Sequence, residues 1–365
     1  MHALLSSSKH LDAFATHLGA RGDLALDCEF VRERTFWPQL GLIQLATDGQ
    51  TALIDPVALD DAAALKRLFS KARRVLMHAP GEDFECFLHH YGWLPQPLFD
   101  TQLAAAFVGR GVGLGYRALV QQVLNIEVDK GETRSDWLRR PLSEAQLRYA
   151  AADVAHLQDL ADTLGAELDQ QGKRAWFDAD CQQALAKAVA QHSTPDGRLD
   201  ARQIGRLSDR AARRLQRILL WREHAARESD RPKGWLLDNE TCQLLANLPD
   251  GDRSAHDGLF REARRAAGFA ADELWEQLHA PPDPSLPPLP PRPAPADGRH
   301  RSLVSALQAE VASIAGRCDL PPALLFPRRL IEAMVDAADW PDGAQGWRES
   351  LLREPLLRIL RKDSR

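Results

Sequence analysis

Short apolar runs punctuate the first part of the chain. Leu24-Ala25-Leu26 leads into Asp27, Leu40 to Ala46 forms a second run, and Thr51 to Ile54 a third. The last two flank Asp48-Gly49, a pair that favours the tight turn of a β-hairpin. Asp60 to Phe69 has helical spacing, and Val75-Leu76-Met77 predicts a further strand. Helical patterns dominate from there. Ser143-Glu144-Ala145-Gln146 fits a capping box, in which the serine and the glutamine satisfy free N–H groups at a helix start. The helix it opens should reach about Leu168. Three early strands, a helix, a strand and then helices predict an α/β domain whose sheet has an antiparallel edge.

Turn residues cluster at Ser193-Thr194-Pro195-Asp196-Gly197, and beyond them no run predicts a strand. Residues 281–295 hold nine prolines in fifteen positions, which fits an extended, semi-rigid spacer and no helix or central strand. Four segments follow: an α/β domain over 1–195, a helical domain over 198–280, a proline-rich linker over 281–298 and a second helical domain over 299–365.

Composition narrows the class. With 44% hydrophobic and 27% charged residues, the 365-residue chain is neither disordered nor fibrous. No stretch of about 18 residues lacks a charge, so no membrane span is expected, and Lys9 and Asp12 interrupt the only early apolar patch, which argues against a secretory signal. The five cysteines form no CxxC pair and fit reduced thiols in a cytoplasm. Residues 1–195 carry 25 acidic against 19 basic side chains, a surplus that suits a site concentrating carboxylates for divalent cations.

Three acidic pieces carry the candidate chemistry. Asp27 and Glu29 stand two apart at the end of the first strand, so both carboxylates point to one face. In His78 to Glu85 (HAPGEDFE) three acids fall in the first turn of a predicted helix, where dipole capping alone would explain them and spacing does not separate Glu82 from Asp83. Tyr149 and Asp153, four apart, share a helical face, and the alanines between them allow close backbone approach. Any one piece is common. Together, four carboxylates on a strand end and two helices can hold two divalent ions about 4 Å apart, which clamp the attacking and leaving oxygens of an in-line phosphoryl displacement. A tyrosine hydroxyl beside them can orient water.

These pieces are recognisable in order. ALDCEFVRERTFWPQLGLIQLA, HAPGEDFECF, LPQPLFDTQLAAAF and RPLSEAQLRYAAADVAHL resemble the three exonuclease motifs of the DEDD superfamily, in the subclass with tyrosine in the third motif, and closely resemble the ribonuclease D family. The resemblance covers about 1–190. It implies a ribonuclease-H-like mixed sheet and a 3′-to-5′ exoribonuclease releasing nucleoside 5′-monophosphates from tRNA precursors and other small structured RNAs. It implies two divalent ions, Mg2+ or Mn2+. Asp27 would bridge them, Glu29 and Asp153 would hold the nucleophile-side ion, Asp83 the other, and Tyr149 would position water; the motif, not the spacing, selects Asp83 over Glu82. LQRILLWREHAARESDRPKGWLLDNETCQLLANLP resembles an HRDC domain, a helical nucleic-acid-binding module, and SLVSALQAEVASIAGRCDLPPALLFPRRLIEAM with GWRESLL resembles a divergent second copy. A monomer is expected.

Further candidates are weaker. Phe30 and His78 abut the motifs, and Lys130 and Arg134 lie in KGETRSDWLRR, a segment that could line an RNA entry path. Arg202, Arg206, Arg210, Arg213 and Arg217 recur at helical spacing; this is a solvated face or a phosphate-binding stripe. GRGVGLGY is not the dinucleotide fingerprint and no nucleotide cofactor is expected. His89-His90 lacks a companion at metal-ligand spacing. Two alternatives stay open: a DNA 3′-5′ exonuclease, which the motifs alone do not exclude, and a non-catalytic RNA-binding scaffold, which would have no use for carboxylates in all three motifs.

Overall fold

The computed structural model describes residues 4–363 except 20–21, 60, 130–134, 194–198, 200, 206, 263–270, 282, 291–297 and 342. Six strands form one mixed sheet: β1 (Leu4–Leu5), β2 (Asp23–Val31), β3 (Gln39–Thr47), β4 (Gln50–Ile54), β5 (Arg74–Met77) and β6 (Leu98–Asp100). The order is β1-β4-β3-β2-β5-β6. Only β3 runs against its neighbours; β1 lies parallel to β4, and β5 and β6 continue parallel from β2. The antiparallel strand is therefore internal and not an edge, because β4 and β2 flank it; the two-residue β1, too short to leave a pattern, pairs on the outer side of β4. Asp48 and Gly49 both have positive φ, 42° and 77°, which is the backbone of the type I′ hairpin turn between β3 and β4.

Alternation along β2 separates two jobs. Leu24, Leu26 and Cys28 join Ile43 and Leu45 of β3 in the main apolar core. The other face carries Asp27 and Glu29, and on β3 and β4 its Leu42 and Leu53 pack under Trp137, Leu142, Ala150 and Ala151. Small side chains let the helix Glu144–Ala155 lie close on this face. Gly41 has a related reason: a Cβ there would lie 2.6 Å from the carbonyl oxygen of Trp137. Arg140 locks that approach, donating to the Gly41 carbonyl at 2.7 Å and to both carboxylate oxygens of Asp55 at 2.7 and 2.8 Å.

The capping box forms as expected, with Ser143 and Gln146 satisfying each other's backbone. The helix it opens does not continue to Leu168. It ends at Ala155, and a second helix runs Leu157–Gln170. The cause is Tyr116, on the helix Tyr116–Leu124. Its hydroxyl donates to the Ala152 carbonyl at 3.0 Å and accepts from the His156 N–H at 3.1 Å. Those two groups would otherwise bond each other four residues apart, so the phenol is inserted into the helical ladder and kinks it.

The predicted segments resolve into two compact units, 1–31 with 38–189 and 301–365, and 32–37 with 190–300. In the first unit, Leu307, Val311, Phe326, Leu352 and Leu356 belong to the same apolar core as the sheet. Trp347 stacks on Trp176 with ring centres 4.9 Å apart, and Arg348 makes two 2.6 Å bonds to Asp180. Lys173 is buried and donates to the Phe107 carbonyl at 2.9 Å and to Gln171 at 2.7 Å. The block after the linker is thus built into the core of the α/β part, a long-range association that no local pattern encodes.

In the second unit the helix Asp209–Ser229 packs Leu215, Ile218 and Trp221 against Leu236, Leu245, Phe260, Leu274 and Leu278, with Phe36 in the same cluster. Its arginines are not a free stripe. Arg210 pairs with Asp250 at 2.6 Å. Arg213 donates to the Pro287 carbonyl, and Arg217 to the carbonyls of Gln277, Ala280 and Pro281, at 2.5 to 3.0 Å. The first half of the proline-rich segment is therefore tied back onto this helix. Among the described residues this proline-rich stretch forms no helix to pair its carbonyls, so guanidinium donors suit them. Arg206 lies outside the described residues, as does the side chain of Arg202. Among the described residues no helix is long and apolar enough to cross a membrane.

Candidate active site

The face of β2 turned toward the 144–155 helix gathers the acids. Oxygen atoms of Asp27, Glu29 and Asp153 all lie within 4.8 Å of one another. Asp27 and Glu29 come together by the two-residue period of the strand, and a bulge between Glu29 and Phe30 shifts the register just beyond them. Asp153 arrives from the helix above. Asp83 is supplied by the helix Gly81–Tyr91, where it is buried while Glu82 is exposed. Tyr149 donates its hydroxyl to Asp153 one turn away, and its ring lies 6.1 Å from that of buried Trp137.

The charges do not tolerate this proximity unaided. Burial, then repulsion from Asp83, Asp153 and Glu29, pushes the Asp27 carboxyl well above the usual range. Glu29 is raised to about 8 by burial and by Asp153 and Asp83. Burial raises Asp83 to about 7 and Asp153 to about 6, the latter moderated by the Tyr149 hydroxyl and Arg117. Clustered carboxylate oxygens of this kind are the donors that hard divalent cations take, and a bound cation would remove the repulsion.

The sign of the pH effect follows. These acids ionise at higher pH when folded than when unfolded, so the folded state holds extra protons between about pH 4 and 8. Stability of the cation-free protein should then fall as pH rises through that window. We expect the melting temperature in EDTA to drop from pH 5.5 to pH 8, and added Mg2+ or Mn2+ to raise it more at pH 8. Thermal melts at both pH values check this; an equal rise at both would mean that the acids do not bind the ion.

A cavity of about 520 Å³ opens beside the acids, lined by Asp27, His78, Tyr116, Arg117, Tyr149 and Asp153. His78 is fixed there: its Nε2 lies 3.0 Å from the Leu114 carbonyl and its Nδ1 2.9 Å from the Thr101 hydroxyl. The carbonyl can only accept, so Nε2 carries the proton, and burial lowers the imidazole to about 4, leaving it neutral. The glycine loop of GRGVGLGY forms this wall. Gly109, Gly111 and Gly113 all take positive φ, which brings the Leu114 carbonyl round to His78.

Phe30 is not in the cavity; it packs against the main core. Lys130 and Arg134 lie outside the described residues. Sequence reasoning missed Tyr116 and Arg117. A lone tyrosine and arginine on a short helix carry no motif, and only the fold brings that helix against Asp153. His89 and His90 sit at the exposed end of the 81–91 helix.

Comparison with known proteins follows the same line. The 3′-5′ exonuclease family profile matches residues 3–169. Ribonuclease D of Xanthomonas oryzae pv. oryzae is 40% identical over 92% of this chain and 93% of its own. Ribonuclease D of Escherichia coli is 32% identical over 93% of each. The crystal structure of E. coli RNase D, described as an exoribonuclease involved in structured RNA processing, superposes with a TM-score of 0.84 and 29% identity over 99% of both chains.

Proposed function

The chain belongs to the ribonuclease D family and is an exoribonuclease, and from that premise we propose that it trims 3′ ends of tRNA precursors and other small structured RNAs, one nucleoside 5′-monophosphate at a time, with two divalent ions. The observation that carries the ion dependence is the convergence of Asp27, Glu29 and Asp153 within 4.8 Å. Asp27 would bridge the ions, Glu29 and Asp153 would hold one, and Asp83 the other. Bound there, Mg2+ or Mn2+ supplies positive charge to the attacking and leaving oxygens of an in-line displacement. The remaining work belongs to the chain. The Tyr149 hydroxyl, already donating to Asp153, accepts a hydrogen bond from the attacking water and so orients its lone pair toward the phosphorus. Neutral His78 and the cavity wall receive the terminal nucleotide without adding a charge that would compete with the ions. The cysteines among the described residues are all free, which fits a cytoplasmic enzyme, and we propose that it acts as a monomer.

The test is release of mononucleotides from labelled RNA and DNA, with and without EDTA, comparing a 3′-extended tRNA with unstructured RNA. Metal-dependent release from RNA, favouring the extended tRNA, is expected. Equal action on DNA would favour a general 3′-5′ exonuclease, and no release at all a binding scaffold.

The helical part should supply affinity. Arg213 and Arg217 spend their donors on neutral carbonyls and keep their charge, so they still attract phosphates. Removing everything after residue 195 is a poor test, because it would strip Trp347 and Arg348 from Trp176 and Asp180. Combined Arg213→Gln and Arg217→Gln substitutions should instead weaken binding of structured RNA and flatten its dependence on log salt by roughly 0.7–0.9 per lost contact. Binding isotherms at several salt concentrations check this; unchanged slopes would leave the pair as linker anchors alone.

A further inference from the structure

Gln44 occupies the middle of β3, directly opposite Asp27 on β2. Opposed residues of an antiparallel pair project to the same face, with Cβ atoms about 4.5–5.5 Å apart. Gln44 therefore shares the face of Asp27 and Glu29. On its other side it opposes Leu53 of β4, and Leu42 lies two residues before it on β3. Both leucines are packed under Ala150 and Ala151 of the helix that brings in Asp153.

In that setting the amide is out of place. The residue is fully buried, and neither its nitrogen nor its oxygen has a hydrogen-bond partner. A buried amide left unpaired costs stability, whereas an apolar side chain of the same shape would cost nothing and suits its leucine neighbours. Asp27 supplies the complementary need. A backbone hydrogen bond from Cys28 favours its charged form, and a carboxylate, with room for several donors, can accept another. A carboxylate that ligates a cation is generally held by a hydrogen bond from behind, which fixes which oxygen faces the ion.

We propose that Gln44 is a positioning residue for the divalent-ion site, its Nε2 donating to the Asp27 carboxylate in the ion-bound protein and so fixing the oxygen that Asp27 presents. This rests on the ion-binding reading of the same carboxylates.

The test uses the full-length chain without RNA. Mn2+ binding is followed by electron paramagnetic resonance for wild type, Gln44→Leu and Gln44→Met, and thermal melts are recorded in EDTA. Both variants should melt in EDTA at or above the wild-type temperature, since an unpaired buried amide is gone. Both should bind Mn2+ about 10–100-fold more weakly, as expected for loss of a group that orients a ligand. Gln44→Met, being closest in shape, keeps the experiment informative where the leucine variant folds poorly. Variants that bind Mn2+ as tightly as wild type overturn the role of Gln44 and leave the ion site standing. A wild-type chain that takes up no Mn2+ overturns the ion site, and this role with it.

Discussion

Asp27→Asn should give a folded chain that no longer releases nucleotides from RNA. Asparagine has the shape of aspartate, so the packing around β2 is kept. The lost charge is one that Asp83, Asp153 and Glu29 each repel. Loss of a single group that stabilises the reacting charges typically costs about 10²–10³ in rate, and a ligand shared by both ions should cost at least that. The same change should stabilise the protein in EDTA, most at pH 8, because it removes a source of repulsion from a crowded acidic cluster. Activity assays and melts on one preparation read both effects. Near-normal metal-dependent turnover would show that Asp27 is not a ligand, and a lower melting temperature in EDTA would show that the acidic cluster is not the strained element.

Tyr149→Phe should lower the rate by roughly 10²–10⁴, the range for groups that position or move a proton. The phenyl ring retains the contact with Trp137, so only the hydroxyl is removed. Asp153 loses one donor and keeps Arg117 nearby, so Mn2+ affinity should change little. Single-turnover kinetics with saturating metal separate the two. A rate change below about twofold would make Tyr149 a packing residue and assign the orientation of water elsewhere.

The grouping of the acids was legible because it is encoded at short range. Two residues along a strand put Asp27 beside Glu29, and four along a helix put Tyr149 beside Asp153. Both are consequences of backbone periodicity, and the ordered motifs then carried the family and the mixed α/β fold. The hairpin at Asp48-Gly49 and the helix start at Ser143 were equally local, because turn and cap chemistry act over three or four residues.

What the sequence by itself determined was the set of acids, the elements that hold them and the family they belong to. Only the tertiary structure decided what depends on groups far apart in the chain. The kink after Ala155 exists because Tyr116, about 40 residues earlier, outcompetes one helical hydrogen bond. The arginines of the 209–229 helix are engaged because proline carbonyls some 70 residues later need donors. The last helices join the core of the α/β part through Trp347 and Arg348, about 170 residues from Trp176 and Asp180. Periodicity fixes which face a side chain takes, but not which distant surface that face meets. That choice is made by burial and hydrogen-bond satisfaction summed over the folded chain.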